Sequence, residues 1–379
     1  METGKRYAGN YQTRQYACMD SAGVENSLRL IAMAGIKLPE VIFGTSGLGN
    51  LYEALPDSVK LAIVKESVAC SAKPAVFDTA GKYGAGLSLE CLGKCLQQAG
   101  VEPHNVVISN KLGWLRTELK TPEPTFEPGV WKDLRYDAVQ NISYDGILQC
   151  YEQGNQLLQG YKASLVSVHD PDEYLLAAID EEDRAKRYRD ILDAYRALSE
   201  LKQKGQVKAI GIGAKDWKII ECITADVELD WVMIANSMTI HSHPPELISF
   251  MTGLQCRGIN IINSAVFNAG FLTGGDFYNY RPVDVQTEQG KALSHWRNQF
   301  NTICNDFGVQ PAVACVLFGL SAPGVSSVAL NTTNPDRVKK NVDMAAAFIP
   351  MGFWRKLSDV GLIDASYIPF IINREWKRS

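Results

Sequence analysis

The chain has 379 residues, a formal net charge of −4, 46% hydrophobic residues and 21% charged ones, which are ordinary globular proportions. Both charge signs are interspersed, so neither a basic nucleic-acid face nor a polybasic membrane patch is expected, and no apolar run nears the length of about 18 residues that would span a membrane. Residues 1–27 are polar and mixed in charge, without the basic start and apolar core of a signal peptide, so a cytoplasmic protein is expected.

Residues 1–37 read as a loosely ordered N-terminal extension in which Ser27–Ala34 could form a short helix. Residues 38–379 read as one domain. Pro39–Phe43 is the first strand and runs into Gly44-Thr-Ser-Gly-Leu-Gly49. These glycines allow close backbone approach to a ligand, but the G-x-G-x-x-G spacing is absent, which argues against a Rossmann domain. A helix over Asp57–Ser71 leads to an apolar strand from Ala75 to Phe77 that ends abruptly in Asp78, and a glycine-containing turn then delivers Tyr83. Leu87–Ala99 is the next helix, closed by Gly100. The strand Asn105–Asn110 ends in Lys111. Residues 113–133 are predicted to be irregular, since Pro122, Pro124, Pro128 and Gly129 interrupt them; a loop this long in a compact domain is usually a lid or a binding loop.

After a helix over Ile142–Gly160, the strand Ser164–Val168 ends in His169, and Asp170–Tyr174 follows as a rim loop. Arg187–Lys204 is an amphipathic helix. Val207–Ile212, Trp231–Ala235, Ile259–Ile262 and Ser326–Leu330 are strands five to eight, with a rim loop at Gly270–Arg281 and helices at Ser294–Phe307 and Pro311–Leu320 between the last two. Strands alternating with helices predict an α/β fold, a closed (β/α)8 TIM barrel with extra C-terminal helices from Pro350 onward. Nine cysteines, an odd number, read as free thiols. Cys91 with Cys95, and His241 with His243, are spaced for metal binding, but neither pair has a further ligand nearby in sequence, so no metal is expected.

Asp78, Lys111 and His169 each stand at the carboxyl end of a different strand, with Tyr83 just beyond one, which is where barrel active sites lie. Hydride transfer at a carbonyl or alcohol carbon also requires a proton to move at the oxygen. A tyrosine with a pKa near 10 is a sluggish base, and a neighbouring lysine ammonium favours its phenolate. Tyr83 as acid/base, Lys111 as its activator, Asp78 as the anchor of Lys111 and His169 as orienter of the reacting oxygen meet these needs.

Phe77-Asp-Thr-Ala80 with Tyr83, Ser109-Asn-Lys111 and Val168-His169 together resemble the aldo-keto reductase superfamily, over residues 38–342. The resemblance implies the same four catalytic roles and a nicotinamide cofactor. It also implies that Gly44, Thr45 and Ser46 lie near the nicotinamide, Ser264 near the pyrophosphate, and Arg337 and Asn341 at the adenine end. Where many members carry a Ser-Asn pair after the fifth strand, this chain has Gly213-Ala214, leaving Asn236 or Lys215 to hold the carboxamide. Asn331 and Thr332 occupy the turn where NADP-binding members place a lysine, so NAD is expected, with NADP use left open by Arg337.

The text around Lys111-Leu-Gly-Trp114, Thr125–Trp131 and Val168–Tyr174 resembles the sugar-dehydrogenase branch of that superfamily, the D-threo-aldose (L-fucose) 1-dehydrogenases. L-galactose dehydrogenase and pyridoxal dehydrogenase are more distant relatives. Oxidation of an aldose at its anomeric hydroxyl is therefore expected, with Trp114, Glu127, Trp131, Asp170 and Asp172 on rim loops as sugar contacts. The alternatives are a broad carbonyl reductase, a pyridoxal dehydrogenase, or a barrel subunit without enzymatic activity. The partner expected is the small-molecule substrate, and the protein a monomer or small homo-oligomer.

Overall fold

The structure, a computed structural model, describes residues 38–71 and 74–376; the expected N-terminal extension lies outside them. Eight parallel strands close into a barrel: β1 (Val41–Gly44), β2 (Ala75–Ala80), β3 (Val106–Leu112), β4 (Leu165–His169), β5 (Ala209–Ala214), β6 (Trp231–Ala235), β7 (Asn260–Ser264) and β8 (Val325–Leu330). Neighbours around the barrel follow chain order, and β8 pairs with β1 to close it. This is the (β/α)8 TIM barrel that the alternation of elements predicts.

The barrel interior is filled from below by Ile42, Val76, Val107, Leu165, Ala209, Trp231, Met233 and Ile262. Trp231 is fully buried, and Gly211 makes room for it, since a Cβ there would lie 2.3 Å from the indole. Burying an aromatic side chain of roughly 150–250 Å² at about 25 cal/mol per Å² contributes on the order of 4–6 kcal/mol. A larger residue at 211 would forfeit part of that or push the indole aside. The second core lies between the strands and the outer helices.

Several helices begin at side-chain caps: Ser143 accepts from Gly146 N, Asp180 from Asp183 N, and Thr287 from Gly290 N. The Asp180 cap starts its helix at Glu181, six residues before the predicted Arg187. That first turn is all charge and shows no apolar period, although acidic residues there suit the helix dipole.

Two further corrections concern the rim, whereas the tail follows expectation. The segment predicted to be irregular after β3 begins with Trp114–Glu118, which pairs antiparallel with Tyr136–Gln140. The prolines all fall in the connection between these two strands and leave the ladder intact. Asp170–Tyr174 is not a plain loop, because a short helix runs over Pro171–Leu176 with proline in its first turn. The C-terminal tail forms two helices, Met351–Asp359 and Ile368–Trp376. Before the second, Tyr367 stacks on Phe318 at 4.0 Å and its hydroxyl donates to the Phe318 carbonyl at 2.7 Å.

Candidate active site

Side chains alternate along a strand, so every residue two places above an inner-core residue also faces the barrel axis. Counting upward from Val76, Val107 and Leu165 brings Asp78, Lys111 and His169 to that face at the carboxyl end. Gly44 and Ser264 share it, counted from Ile42 and Ile262. Strand alternation, closed by the barrel, is thus what assembles the site.

The Lys111 ammonium is in direct ion-pair contact with Asp78 Oδ2, both side chains being about 95% buried or more, and Ser109 Oγ donates to Asp78 Oδ1 at 3.3 Å. Lys111 Nζ also lies 4.8 Å from the centre of the Tyr83 ring. The His169 ring meets Tyr83 edge-on at 5.6 Å. Tyr83 is carried by the turn after β2, whose position is set by close backbone contact. A Cβ on Gly49 would stand 2.8 Å from the Tyr83 carbonyl carbon, and one on Gly84, at φ +61°, would stand 2.3 Å from the Gly49 oxygen. Two glycines are therefore required where the first loop and the tyrosine turn meet.

Burial pushes the Tyr83 phenol well above its ordinary value of 10, and Asp78 adds to the shift. The net lowering expected of Lys111 is not found: Asp78 offsets much of the ammonium's field, and burial outweighs the cations, Lys82 among them, that favour the phenolate. Burial likewise holds His169 well below its usual 6.5. At neutral pH the site therefore presents a protonated phenol and a neutral imidazole, both able to donate a hydrogen bond.

The residues expected to hold a cofactor divide into two groups. Asn236 follows β6 in the left-handed region at φ 62°; it is buried, and its Oδ1 has no hydrogen-bond partner among the described residues. Such an atom costs free energy unless something supplies a donor, and a nicotinamide carboxamide has one to offer. Lys215, the other candidate, is engaged by Asp170 and Glu173. Ser46 and Ser264 stay partly exposed at the strand ends, and Asn331 and Arg337 are exposed with Thr332 between them. Asn341 is nearly buried on the helix Val338–Ala345. Thr45 does not reach the ligand side: its hydroxyl donates to the Asp78 carbonyl at 2.9 Å and accepts from Ser88 at 2.8 Å, inside the wall. Asn334 caps its own short turn by accepting from Asp336 N.

Around the rim, Trp131 lies 5.8 Å from the Tyr83 ring and donates from its indole nitrogen to Glu127 Oε2 at 2.7 Å. Its loop is tied to the first one, Tyr52 N donating to the Val130 carbonyl at 2.8 Å and Lys132 N to that of Asn50 at 3.0 Å. Trp114 packs on Phe126 at 5.8 Å. Asp170 is buried beside His169, its Oδ2 3.6 Å from Nε2. Asp172 Oδ2 accepts from the backbone of Lys215 at 3.0 Å and of Asp216 at 2.9 Å, which fixes the loop after β5, while its Oδ1 is buried with no hydrogen-bond partner among the described residues.

The sequence profile described as "Aldo/keto reductase family" matches residues 40–358 of this chain. The chain belongs to the aldo/keto reductase family. It is similar to a pyridoxal 4-dehydrogenase from Microbacterium luteolum, 27% identical over 350 residues, covering 89% of this chain and 98% of that one. It is similar also to a D-threo-aldose 1-dehydrogenase from Pseudomonas sp, 28% identical over 345 residues, 88% of this chain and 97% of that one. Among solved structures, an aldo-keto reductase from Bacillus halodurans in its holo form matches with a TM-score of 0.62 at 19% identity, covering 86% and 92% of the two chains. Aldo-keto reductases are oxidoreductases that use nicotinamide cofactors, so membership of the family makes this chain an oxidoreductase.

In this aldo/keto reductase, Gly213 in place of the family's serine has a local reason. A Cβ there would lie 3.1 Å from Lys111 Cδ, so glycine leaves room for the lysine stem. The two rim histidines are engaged separately, His241 with the Tyr278 hydroxyl at 2.9 Å and His243 with Asp364 N at 3.0 Å. Sequence reading missed Lys82, Glu173 and the ionic role of Lys215. Lys82 directly precedes Tyr83 and is 3% exposed, yet a lone lysine in a glycine turn gives no sign of burial.

Trp131→Ala should raise KM for the organic substrate on the order of tenfold, since truncating a packed aromatic contact costs at least about 1 kcal/mol, and should leave the cofactor dissociation constant unchanged. Steady-state kinetics with a fluorescence titration of the cofactor check this. Equal change in both constants, or in neither, would make Trp131 a packing residue.

Proposed function

We propose that this aldo/keto reductase oxidises the anomeric hydroxyl of a free aldose of the L-fucose or D-arabinose type to its lactone, with NAD as acceptor. The observation that carries this reading is the rim above Tyr83: an indole face at Trp131 set among the carboxylates of Glu127 and Asp170. A sugar offers a C–H face and a ring of hydroxyls, and aromatic and carboxylate groups suit both. A bound nicotinamide dinucleotide would supply the hydride acceptor. Asn236 would hold its carboxamide, Ser46 and Ser264 would line its path, and Asn331, Thr332, Arg337 and Asn341 would hold the adenosine end.

For the chain's own residues the step is a proton transfer. The anomeric hydroxyl gives its proton to the Tyr83 oxygen as the C1 hydride leaves, and Lys111, anchored on Asp78, stabilises the phenolate that must be present first. His169 donates a hydrogen bond to the same substrate oxygen. Because burial favours the phenol, oxidation should accelerate as pH rises into the alkaline range, whereas reduction of a carbonyl should slow. Initial rates in both directions from pH 6 to 10, with a panel of aldoses, pyridoxal and simple aldehydes, test this. Turnover of simple aldehydes alone, or no turnover of any sugar, would overturn the aldose reading.

The relative that is a pyridoxal 4-dehydrogenase supports a second reading, oxidation of pyridoxal in the same site. A flat heteroaromatic ring would suit the Tyr83–Trp131 wall. The protonated phenol equally suits a broad carbonyl reductase, and the panel separates all three.

For the cofactor, Asn331 Oδ1 accepts from Gly47 N at 3.4 Å and so lies between the turn after β8 and the first loop. With no lysine there, a 2′-phosphate would lack a charge-assisted contact worth about 1.5–3 kcal/mol, roughly one to two decades of affinity. Wild-type kcat/KM should favour NAD, and Asn331→Lys should gain on the order of tenfold with NADP. A wild-type preference for NADP would show that this position does not set the choice.

A further inference from the structure

Lys82 has no part in the redox scheme, yet it is the most heavily paired cation near it. Its side chain is 4% exposed, and Nζ lies 2.8 Å from Glu127 Oε1, 2.8 Å from Glu173 Oε2 and 3.2 Å from Asp170 Oδ2. Glu127 belongs to the loop after β3, whereas Asp170 and Glu173 belong to the segment after β4. Lys215, after β5, reaches the same Asp170 oxygen at 3.5 Å and also pairs with Glu173. Asp170 itself is held in the left-handed region at φ 47°, with its N–H donating to the Gly213 carbonyl at 2.9 Å. A non-glycine residue there costs roughly 1–2 kcal/mol, so its surroundings impose the conformation.

That conformation aims the carboxylate at a catalytic side chain. Asp170 Oδ2 stands 3.6 Å from His169 Nε2. His169 Nδ1 is buried and has no hydrogen-bond partner among the described residues. In a neutral imidazole one nitrogen carries the proton and the other a lone pair, and neighbours decide which. A carboxylate facing Nε2 attracts an N–H and repels a lone pair. At 3.6 Å it is near enough to bias the ring, and beyond the roughly 3.2 Å at which it would engage the proton in a hydrogen bond of its own.

We propose that Lys82 and Asp170 are positioning residues for His169: Lys82 fixes the Asp170 carboxylate against Nε2, and the carboxylate keeps the neutral imidazole in its Nε2–H form, ready to donate to the reacting oxygen. The proposal rests on the redox reading only in that final role. Burial favours a neutral Asp170, but the facing imidazole, Lys215 and Lys82 overcome it and hold the carboxyl well below the usual range. The same ammonium holds Glu127, which holds the Trp131 indole beside Tyr83. Lys82 thus reaches His169 through Asp170, and Tyr83 through Glu127 and the Trp131 indole.

The test is nitrogen NMR of the full chain labelled with ¹⁵N-histidine, the His169 signals being assigned by their loss in His169→Gln. Wild type should show a protonated Nε2 and an Nδ1 lone pair at neutral pH. Asp170→Ala and Lys82→Met should each give a tautomer mixture, with Lys82→Arg restoring the single form. In kinetics, kcat should fall on the order of 10²-fold in the first two variants, within the range for a misplaced proton donor, while KM for the cofactor stays within about twofold. Lys82→Gln serves as a second variant should Lys82→Met fold poorly. An Nδ1–H tautomer in wild type, or an unchanged tautomer in Asp170→Ala, would overturn the proposal. A wild-type protein that turns over no substrate on the panel would instead sink the redox reading, and the tautomer result would still decide the role of Asp170.

Discussion

Replacing Tyr83 with phenylalanine should lower kcat by about 10²–10⁴-fold, the usual weight of general acid–base catalysis, while leaving cofactor affinity nearly unchanged. The substitution removes one oxygen and keeps the ring that packs against Trp131 at 5.8 Å and against His169 at 5.6 Å. The close contact of Gly49 with the Tyr83 backbone is untouched, so the turn should keep its place. Single-turnover rates and a cofactor titration on the same preparation separate chemistry from binding. Turnover within a few fold of wild type would remove Tyr83 from the mechanism.

Lys111→Met should damage both catalysis and stability. It leaves the Asp78 carboxylate, 3% exposed, with Ser109 Oγ at 3.3 Å as its remaining side-chain partner. Breaking a buried ion pair from one side costs about 3–5 kcal/mol, because the orphaned charge stays buried. The double variant Asp78→Asn/Lys111→Met should recover most of that loss, since neither charge remains. It should not recover activity, because nothing cationic then stabilises the phenolate. Sign and direction follow for pH as well: without Lys111 the phenol pKa rises, so the alkaline rise of the oxidation rate moves to higher pH. Urea unfolding and pH–rate profiles of the three proteins check this. An unshifted profile in the single variant would make Lys111 a structural residue.

The fold, and the meeting of Asp78, Tyr83, Lys111 and His169 at the carboxyl end of the barrel, could be read from sequence because parallel strands buried on both faces appear as short apolar runs. Where such a run stops at a charged inward residue, as at Asp78, Lys111 and His169, the end of the barrel is marked. The hairpin of Trp114–Glu118 escaped because Pro122, Pro124 and Pro128 dominate its neighbourhood, although they lie in the connection. The ion cluster escaped for a different reason. Lys82 finds Asp170 and Glu173 at separations of 88 and 91 residues, and each of those residues, taken alone, resembles ordinary surface charge. The upward shift of the Tyr83 phenol is not legible in sequence because its largest cause is burial, which the residues of the turn do not display.

Barrel enzymes are commonly remodelled by exchanging one rim loop at a time, on the assumption that each loop folds on the scaffold without reference to its neighbours. Lys82 removes that independence here. Its ammonium is shared by carboxylates from the loops after β3 and β4, and through Glu173 and Asp170 it is joined to Lys215 after β5. A graft that replaces the Glu127 loop alone strips one anion from a buried lysine, and one that replaces the β4 segment strips two. New specificity on this scaffold is therefore best sought by exchanging the three segments together, or by keeping Glu127, Asp170 and Glu173 fixed while the residues between them vary.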